Sequence, residues 1–463
     1  MKLKSTYHKI LSDTITPVSI YLKIRDQYPG SLLLESSDYH TNNNSFSYIC
    51  MNPIASFKLE NELITIEKQD QKDQQIKLTD QEDLNRELKK FRDSFEIEKF
   101  DFKFTTNALF GYTAYDAIRY FENVDIKKRK DNIQIPDLYY AVYQNIIVIN
   151  HFNNEAYIFN HSADDINLIP EINHIISSQT HSIFHFDYDE NITSNFTDDE
   201  FKLNVSEAKK HCQRGDIFQM VLSRRFEQKF KGDEFNVYRT LRSINPSPYL
   251  FYFDYTDFKI FGSSPEAQLV VNRKKAEIHP IAGTFKRTGQ DEEDVALAKE
   301  LSEDPKENSE HVMLVDLARN DLSKNGRNVK LETDKEVQFF SHVIHLVSKV
   351  TADIKDDKDA IDLAADCFPA GTLSGAPKPK ALELIEKYET LNRNHYGGAI
   401  GILDFEGNYN HAIIIRSFLS KNHHLYYQAG AGIVNDSDPN SELEEVYNKL
   451  KALKKAMALA KKI

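Results

Sequence analysis

The sequence predicts an α+β fold in which layered antiparallel sheets are covered by helices. Two observations support this class. Short β-rich runs separated by polar turns dominate the chain to about residue 185, and capped helices alternate with further short strands after it. No internal repeat of fixed short period is present. At 463 residues the chain is long enough for two to three domains.

The first predicted domain covers residues 1–185. We expect it to carry regulation, for reasons given below. Its strand signals lie at residues 31–35, 56–59 and 140–149. A helix-like pattern runs from residue 80 to residue 95, and the Lys/Gln/Asp-rich stretch 68–75 is typical of a solvated hairpin turn.

A linker rich in Asn, Ser, Thr and Asp occupies residues 187–200, and the second predicted domain covers residues 195–463. That domain begins with a helix, because Thr197 and Glu200 form a capping box ahead of apolar residues at helical spacing. Further strands are predicted at residues 217–226, 259–262, 268–272, 276–279, 343–350, 409–417 and 425–429. Further helices are predicted at residues 295–322 and 441–462.

Composition restricts the class of protein. With 40% hydrophobic and 28% charged residues, the chain is expected to be globular, and a net charge of -13 argues against a nucleic-acid surface. The N-terminus lacks an apolar signal region and no 18-residue apolar run occurs, which indicates no membrane segment. Cys50, Cys212 and Cys367 show no CxxC spacing. We therefore expect a cytoplasmic protein without structural zinc or disulfides.

Two pairs of glutamates at helical i,i+3 spacing give the first chemical signal. Glu307 and Glu310 form one pair, and Glu442 and Glu445 form the other. This spacing places both members of a pair on one face of a helix. Four converging carboxylates would repel one another unless a hard divalent cation neutralised them, so the pattern favours Mg²⁺ together with an anionic substrate. The alternative is that both pairs are solvated helix faces.

Five further segments carry a resemblance to a known family. They are Gly262-Ser-Ser-Pro-Glu266, Pro280-Ile-Ala-Gly-Thr284, Asp316-Leu-Ala-Arg-Asn-Asp321, Ala370-Gly-Thr-Leu-Ser-Gly-Ala-Pro-Lys378 and Gln428-Ala-Gly-Ala-Gly-Ile-Val-Asn-Asp-Ser-Asp-Pro439. With the glutamate pairs, their order and spacing closely resemble the chorismate-binding enzymes, and within that family the large subunits of anthranilate synthase. The resemblance covers nearly the whole chain and implies the layered fold of that group, with an N-terminal regulatory subdomain.

The resemblance implies specific metal and acid roles. Mg²⁺ bound to the ring carboxylate of chorismate would be held directly by Glu310 and Glu445, and through water by Glu307 and Glu442. Glu266 matches the general acid that protonates the leaving hydroxyl. That role needs a carboxyl that stays protonated near neutrality, which burial beside other carboxylates could supply.

The resemblance also implies the substrate contacts. Glycines at 430 and 432 let backbone amides approach an anion, and Arg416 matches a bidentate clamp on the enolpyruvyl carboxylate. The implied substrate-binding set is Gly283, Thr372, Tyr396, Arg416, Gly430, Gly432 and Lys449. Thr284 joins the implied catalytic set, and His345 matches a histidine implicated in the later elimination of pyruvate. The alternative for His345 is an ordinary structural histidine.

Two positions discriminate between reactions in this family. Isochorismate and salicylate synthases carry a lysine where this chain has Gln219, and a neutral amide cannot deprotonate water. Aminodeoxychorismate synthases carry a nucleophilic lysine where this chain has Ala282. Ammonia therefore remains as the attacking species, and we expect anthranilate as the product. The alternatives are aminodeoxyisochorismate or aminodeoxychorismate synthesis on the same fold, or a non-catalytic tryptophan-sensing module.

The source of ammonia implies a partner. In this family a glutamine amidotransferase subunit, component II, supplies ammonia from glutamine. No cysteine of this chain lies in a Gly-x-Cys-x-Gly nucleophile motif. We therefore expect a separate glutaminase partner or a requirement for high ammonium.

The N-terminal part resembles the tryptophan feedback site of the family. Glu35 and Ser36 belong to one predicted wall, and Pro248 and Tyr249 belong to the other. The Ser36 hydroxyl could bind the amino or carboxylate group of tryptophan, while Pro248 and Tyr249 close over the indole. Residues 39–46 depart from the family because no Arg or Lys follows the motif at the usual distance. The alternative is ordinary strand and turn packing.

Overall fold

Two antiparallel sheet layers packed face to face form the centre of the molecule, and helices cover both outer faces. The structure, a computed structural model, describes residues 1–36, 45–79, 81–127, 129, 133–164, 166–178, 181–339 and 343–463. Of residues 81, 82, 284 and 306 it describes the backbone only. No helix within these ranges is both long and apolar enough to cross a membrane.

The described strands, in chain order, are β1 (Lys2–Leu11), β2 (Leu32–Glu35), β3 (Phe46–Glu60), β4 (Leu63–Lys68), β5 (Gln74–Lys77), β6 (Glu96–Ile97), β7 (Ala108–Thr113), β8 (Leu138–Asn150), β9 (Glu155–Ser162), β10 (Phe186–Tyr188), β11 (Thr193–Ser194), β12 (Gln219–Gly232), β13 (Tyr249–Asp254), β14 (Phe258–Ser264), β15 (Ala267–Asn272), β16 (Lys275–Ile278), β17 (Ile281–Lys286), β18 (Gly326–Phe339), β19 (Val343–Ile354), β20 (Gly375–Ala376), β21 (Ala399–Asp404), β22 (Tyr409–Ile413), β23 (Ser417–Lys421) and β24 (His424–Ile433).

The described helices are α1 (Pro17–Ile24), α2 (Gln81–Asp93), α3 (Ile169–Ser177), α4 (Asp198–Arg214), α5 (Phe235–Ile244), α6 (Asp291–Glu303), α7 (Pro305–Asn325), α8 (Ala360–Asp366), α9 (Lys378–Tyr388) and α10 (Pro439–Ala460). Short 3-10 turns lie at Tyr115–Tyr120 and Gly371–Leu373.

Strand pairing defines the two layers. The first layer runs β1-β9-β8-β3-β2-β13-β14-β23-β24-β12. The second runs β5-β4-β3-β8-β7-β21-β22-β15-β16-β19, with β17 and β18 also paired to β19. The long strands β3 and β8 therefore belong to both layers. The register of β3 shifts between Pro53 and Ala55, a bulge that bends the strand from one layer into the other.

Alternation along the strands directs apolar side chains into three main cores. One core lies between the layers, and each of the other two lies between one layer and its covering helices. On β8, Ile146 and Val148 point into the core between the layers, whereas Ile147 and Ile149 pack against outer helices. Helices α1, α3, α4, α5, α9 and α10 cover the first layer, and α2, α7 and α8 cover the second. This arrangement of helices and antiparallel sheets confirms the predicted fold class.

Both layers contain strands from residues 1–185 and strands from residues 195–463. The two predicted segments therefore share their sheets, and the boundary between them remains a prediction. The predicted linker contributes two short strands, β10 and β11, which pair with β12. The capping box at the start of α4 is present, with Thr197 accepting from the Glu200 amide at 3.2 Å.

Two predicted elements were wrong in their extent. The single helix expected over residues 295–322 is two helices, because Pro305 has no amide hydrogen and the preceding Asp304 adopts an extended ψ of 116°. The single strand expected over residues 409–417 is divided into β22 and β23. Between them Arg416 has a φ of 51°, in the left-handed region, which ends the ladder.

Candidate active site

A cavity of about 590 Å³ lies beside the first turns of α7 and α10, a volume typical of small-molecule sites. Its walls include the predicted catalytic, substrate-binding and metal-binding residues Gln219, Glu266, Ala282, Gly283, Glu307, Glu310, His345, Thr372, Tyr396, Arg416, Gly430, Gly432, Glu442, Glu445 and Lys449. The side chain of Thr284 lies outside the described part of the structure, so its role stays a prediction. Residues distant in sequence are thus brought to one place.

Glu266 and Arg416 lie where the chain crosses between the two sheet layers. Glu266 joins β14 of the first layer to β15 of the second, and Arg416 joins β22 of the second layer to β23 of the first. The left-handed φ of 51° at Arg416 is uncommon for a residue with a side chain and is held by the surrounding sheets. Burial lowers the pKa of the Arg416 guanidinium from its ordinary value. A carboxylate ligand would compensate the cost of burying this cation.

The carboxyl group of Glu266 has the properties of a general acid. Burial raises its pKa from 4.5 to about 7, whereas the Thr372 hydrogen bond and the charges of Lys449 and Arg416 act in the opposite direction. The Thr372 hydroxyl donates to Glu266 Oε1 at 3.0 Å. A carboxyl with this pKa is partly protonated at neutral pH and can donate its proton to a leaving group.

His345 is neutral and its tautomer is set by the backbone. Burial lowers the pKa of its imidazole below 6.5, and Nδ1 lies 2.7 Å from the carbonyl oxygen of Gly283. Nδ1 must therefore carry the hydrogen, which leaves the lone pair on Nε2. Gly283 has a φ of 65°, and a Cβ there would lie 2.5 Å from Leu301 and 3.1 Å from Glu307 Oε2. The glycine thus lets β17 approach α6 and α7.

Gln219 presents an unsatisfied acceptor beside the cavity. Among the described residues its buried Oε1 has no hydrogen-bond partner. Its amide nitrogen packs against Gly432, where an added Cβ would lie only 2.4 Å away. A buried acceptor without a partner costs about 1–3 kcal/mol, so a ligand that donates a hydrogen bond here would be favoured.

The two glutamate pairs line the same cavity from two helices. Glu307 and Glu310 lie in the first two turns of α7, and Glu442 and Glu445 lie in the first two turns of α10. Glu442 is only 7% exposed. The i,i+3 spacing therefore places all four glutamates along the wall of one cavity, although the Glu445 side chain is still 45% exposed.

Lys449 lies one helical turn beyond Glu445 and joins α10 to β24. Its ammonium is 2.6 Å from Glu445 Oε1 and donates to the carbonyl of Gly430 at 2.8 Å. The same ammonium lowers the pKa of Glu266 through space. The Lys449 ammonium thus interacts both with Glu445, one of the four paired glutamates, and with the buried carboxyl of Glu266.

Comparison with known proteins identifies the family of this chain. The family profile described as chorismate binding enzyme matches residues 31–455. The chain belongs to the chorismate-binding enzyme family. Anthranilate synthase component 1 of Aquifex aeolicus (strain VF5) is 35% identical over 472 residues, which covers 98% of this chain and 94% of the relative.

Solved structures of chorismate-binding enzymes share the fold. The crystal structure of anthranilate synthase component I from Streptococcus pneumoniae TIGR4 is similar with a TM-score of 0.77 and 30% identity, covering 96% of this chain and 99% of that one. The menaquinone-specific isochorismate synthase of Escherichia coli has a TM-score of 0.72 at 17% identity, covering 98% and 94% respectively, and its likeness concerns the fold alone.

Mg²⁺ is a prediction from the sequence, and carboxylate oxygens are ligands that this ion takes in proteins. Within the described residues no three acidic, histidine or cysteine side chains converge closely enough to form a ready-made metal site. Mg²⁺ usually retains several waters and takes one or two protein carboxylates together with the substrate. Carboxylates from α7 and α10 beside a shared cavity meet that requirement. Glu310 and Glu445 would hold the ion directly in the predicted arrangement.

A second cavity of about 440 Å³ contains the predicted effector residues Glu35, Ser36, Pro248 and Tyr249 in its wall. The Glu35 carboxylate is already engaged, because Tyr238 donates to it at 2.6 Å and Arg242 donates to both of its oxygens. The Tyr249 hydroxyl donates to Asn410 Oδ1 at 3.1 Å. Ser36 is thus better placed than Glu35 to offer a polar group to a ligand. Residues 37–44, which contain most of the departure from the family, lie outside the described residues.

Several cavity residues were missed by sequence reasoning. Val221, Leu373, Ser437 and Asn448 also line the site. Two of them had a usable signal, because Val221 follows Gln219 at strand period and Asn448 follows Glu445 at helical period. Leu373 lies in the short 3-10 turn Gly371–Leu373 and Ser437 in an irregular segment, and neither segment is long enough to show a period.

Proposed function

We propose that this chain catalyses the reaction of anthranilate synthase component 1, in which chorismate is aminated by ammonia and pyruvate is eliminated to give anthranilate. Curated relatives of that name, aligned over nearly the whole chain, support the proposal. The observation that carries it is one cavity lined by Gln219 and Ala282 together with Glu266, whose pKa is about 7. An amide cannot activate water and an alanine cannot attack, so external ammonia is the nucleophile.

Chorismate carries two carboxylates, and the cavity offers two kinds of anion contact. The Arg416 guanidinium can clamp the enolpyruvyl carboxylate with two parallel hydrogen bonds. On β24, Gly430 and Gly432 line the cavity without side chains, so their backbone can contact an anionic group of the substrate. Mg²⁺ held by the glutamates would neutralise the ring carboxylate and fix its orientation.

In the first step, ammonia forms a bond to the ring carbon ortho to the carboxylate, and the ring double bonds shift as the 4-hydroxyl leaves. Glu266 transfers its proton to that hydroxyl, which departs as water. The ammonium adduct then loses a proton and becomes aminodeoxyisochorismate. The unpartnered Oε1 of Gln219 can accept a hydrogen bond from the incoming ammonia.

In the second step, the ring aromatises. Nε2 of neutral His345 can accept the proton from the carbon that bears the new amine, while the enolpyruvyl C–O bond breaks. The released enolpyruvate takes up a proton and becomes pyruvate. The hydrogen bond from Nδ1 to Gly283 orients the imidazole for this transfer.

Ammonia supply requires a partner in this proposal. Cys50 and Cys367 are buried and Cys212 is partly exposed, and none is flanked as a glutaminase nucleophile. A separate amidotransferase subunit, component II, would deliver ammonia and so avoid the low fraction of free ammonia at neutral pH. The cavity at Ser36 and Tyr249 would bind tryptophan as feedback inhibitor, which couples the two cavities reciprocally.

One assay tests the proposed reaction. Purified chain receives chorismate, ammonium and Mg²⁺, and anthranilate emission and pyruvate are followed together, with a parallel reaction containing a chelator. Equal yields of anthranilate and pyruvate that require the metal are expected. Accumulation of aminodeoxyisochorismate without pyruvate would replace the proposal with the shorter reaction, and no consumption of chorismate would overturn it.

A further inference from the structure

Arg393 and Glu389 form an ion pair enclosed behind the cavity. Their side chains are 1% and 5% exposed, and Arg393 Nη2 lies 2.6 Å from Glu389 Oε1. A second contact of 2.8 Å joins Arg393 Nε to Glu389 Oε2, so the pairing is bidentate. The guanidinium also lies over the ring of Tyr115 at 4.5 Å. Neither residue is among those lining the cavity.

The remaining donors of this guanidinium reach two separate backbone segments. Nη1 donates to the carbonyl of Leu373 at 2.6 Å, and Nη2 donates to the carbonyl of Val221 at 2.7 Å. Glu389 Oε1 in turn accepts from the amide and the hydroxyl of Ser223 at 2.8 and 2.7 Å. A planar guanidinium presents its donors in a fixed fork, so it sets the separation of the groups that it binds.

Both segments are walls of the active-site cavity. Val221 follows Gln219 on the same face of β12, and both residues line the cavity. Leu373 directly follows Thr372, whose hydroxyl holds Glu266. The backbones of these two segments also pair directly, because the Val221 amide donates to the carbonyl of Ser374 at 2.9 Å and β12 pairs with β20. The guanidinium adds a side-chain bridge between the wall that receives the nucleophile and the wall that carries the acid.

We propose that Arg393 and Glu389 are positioning residues, which fix the acid wall of the cavity relative to the Gln219 wall. A buried ion pair is a poor source of stability, because the desolvation of two charges offsets most of their attraction. An apolar pair would fill the same space, but it could not hold two carbonyl groups of different segments at a set separation. The inference rests on the proposed function, since it concerns the geometry of that reaction.

The test compares Arg393→Lys with Arg25→Lys. Arg25 is a matched control because it pairs with Asp233, both side chains are 11% exposed, and Arg25 lines neither described cavity. In both variants lysine keeps the positive charge but lacks the planar, forked set of N–H donors that a guanidinium has. We expect Arg393→Lys to lower kcat tenfold or more, with KM for chorismate within about twofold, because small displacements of reacting groups are costly. Arg25→Lys should lower the melting temperature only.

The pH dependence of kcat, measured at constant free ammonia, supplies a readout that a merely structural role would not change. In Arg393→Lys the Thr372 hydroxyl should no longer hold Glu266, so the decline of kcat at high pH should move to higher pH. Glu389→Gln keeps an acceptor for Ser223 and removes the charge, and we expect the same direction with a smaller fall. Glu389→Gln also tests the proposal if the Arg393→Lys variant does not fold.

The outcomes separate this inference from the proposed function. Wild-type chain that makes no anthranilate would overturn the proposed function itself. Active wild type, with a folded Arg393→Lys or Glu389→Gln that matches Arg25→Lys in kcat and in pH profile, would overturn the positioning role alone.

Discussion

The amide of Ser263 donates a hydrogen bond of 3.1 Å to the carbonyl of Arg416. Three residues along, the carbonyl of Glu266 accepts a hydrogen bond of 3.0 Å from the amide of Ile413. The two crossings between the sheet layers are thus bonded to each other at both ends. The proposed acid and the proposed carboxylate clamp are therefore fixed relative to one another by backbone, before any ligand is present.

Because its pKa is raised, Glu266 should destabilise the folded protein at alkaline pH. The folded-state pKa is about 7 against an ordinary 4.5, so the folded protein retains a proton that the unfolded chain releases. Stability from this group is complete below about pH 4.5 and is lost as pH rises through 7. Glu266→Gln should be inactive, and at pH 8 it should be more stable than wild type by roughly 1–3 kcal/mol. Urea unfolding at pH 5 and pH 8 measures this.

The hydrogen bond from Thr372 to Glu266 predicts how a substitution of Thr372 changes the pH profile of kcat. The Thr372 hydroxyl lowers the pKa of Glu266, so Thr372→Val should raise it. The protonated form of Glu266 is the active one. The decline of kcat at high pH, measured at constant free ammonia, should therefore move to higher pH. An unchanged profile would show that another group limits the rate at high pH.

Metal dependence can be tested on α10 with neighbouring residues. Glu445 lines the cavity, whereas Glu444 is exposed on the same helix. Glu445→Gln should raise the Mg²⁺ concentration needed for half-maximal activity by tenfold or more, and Glu444→Gln should leave it unchanged. Calorimetric titration of Mg²⁺ in the presence of chorismate gives a readout independent of turnover. Equal Mg²⁺ affinity in the two variants would remove Glu445 from the site.

Ala282 offers a test of the nucleophile. Ala282 is 9% exposed and lines the cavity, so a lysine there would place an amine beside the bound ring. We expect Ala282→Lys to form a covalent adduct with the substrate and to make less anthranilate from free ammonia. Mass spectrometry of the intact chain detects the adduct. Unchanged product and an unmodified chain would mean that position 282 does not face the reacting carbon.

Binding of tryptophan can be followed directly because this chain contains no tryptophan. Added tryptophan should shift its own emission and gain anisotropy as it enters the cavity beside Ser36 and Tyr249. Ser36→Leu should abolish the change and retain activity without effector, while Ser177→Leu, exposed on α3, should bind as wild type does. No change of emission at saturating wild-type protein would refute the effector site.

Local signals were sufficient for much of the secondary structure. The capping box at Thr197 and Glu200 and the hairpin turn after β4 were found because neighbouring residues determine them. The helix break at Pro305 was missed although the residue is visible in the sequence, since apolar spacing on both sides suggested continuity. The break at Arg416 had no sequence signal, because the left-handed backbone there is imposed by the change of sheet layer.

The sequence by itself determined the class of fold, the family and most of the residues that line one cavity, because these depend on residue type, spacing and order. Only the tertiary structure decided the pKa of Glu266, the tautomer of His345, the engagement of Glu35 and the span of Arg393 between two walls. Each of these depends on burial and on contacts between segments far apart in the chain. Such contacts exist only after the two sheet layers have packed.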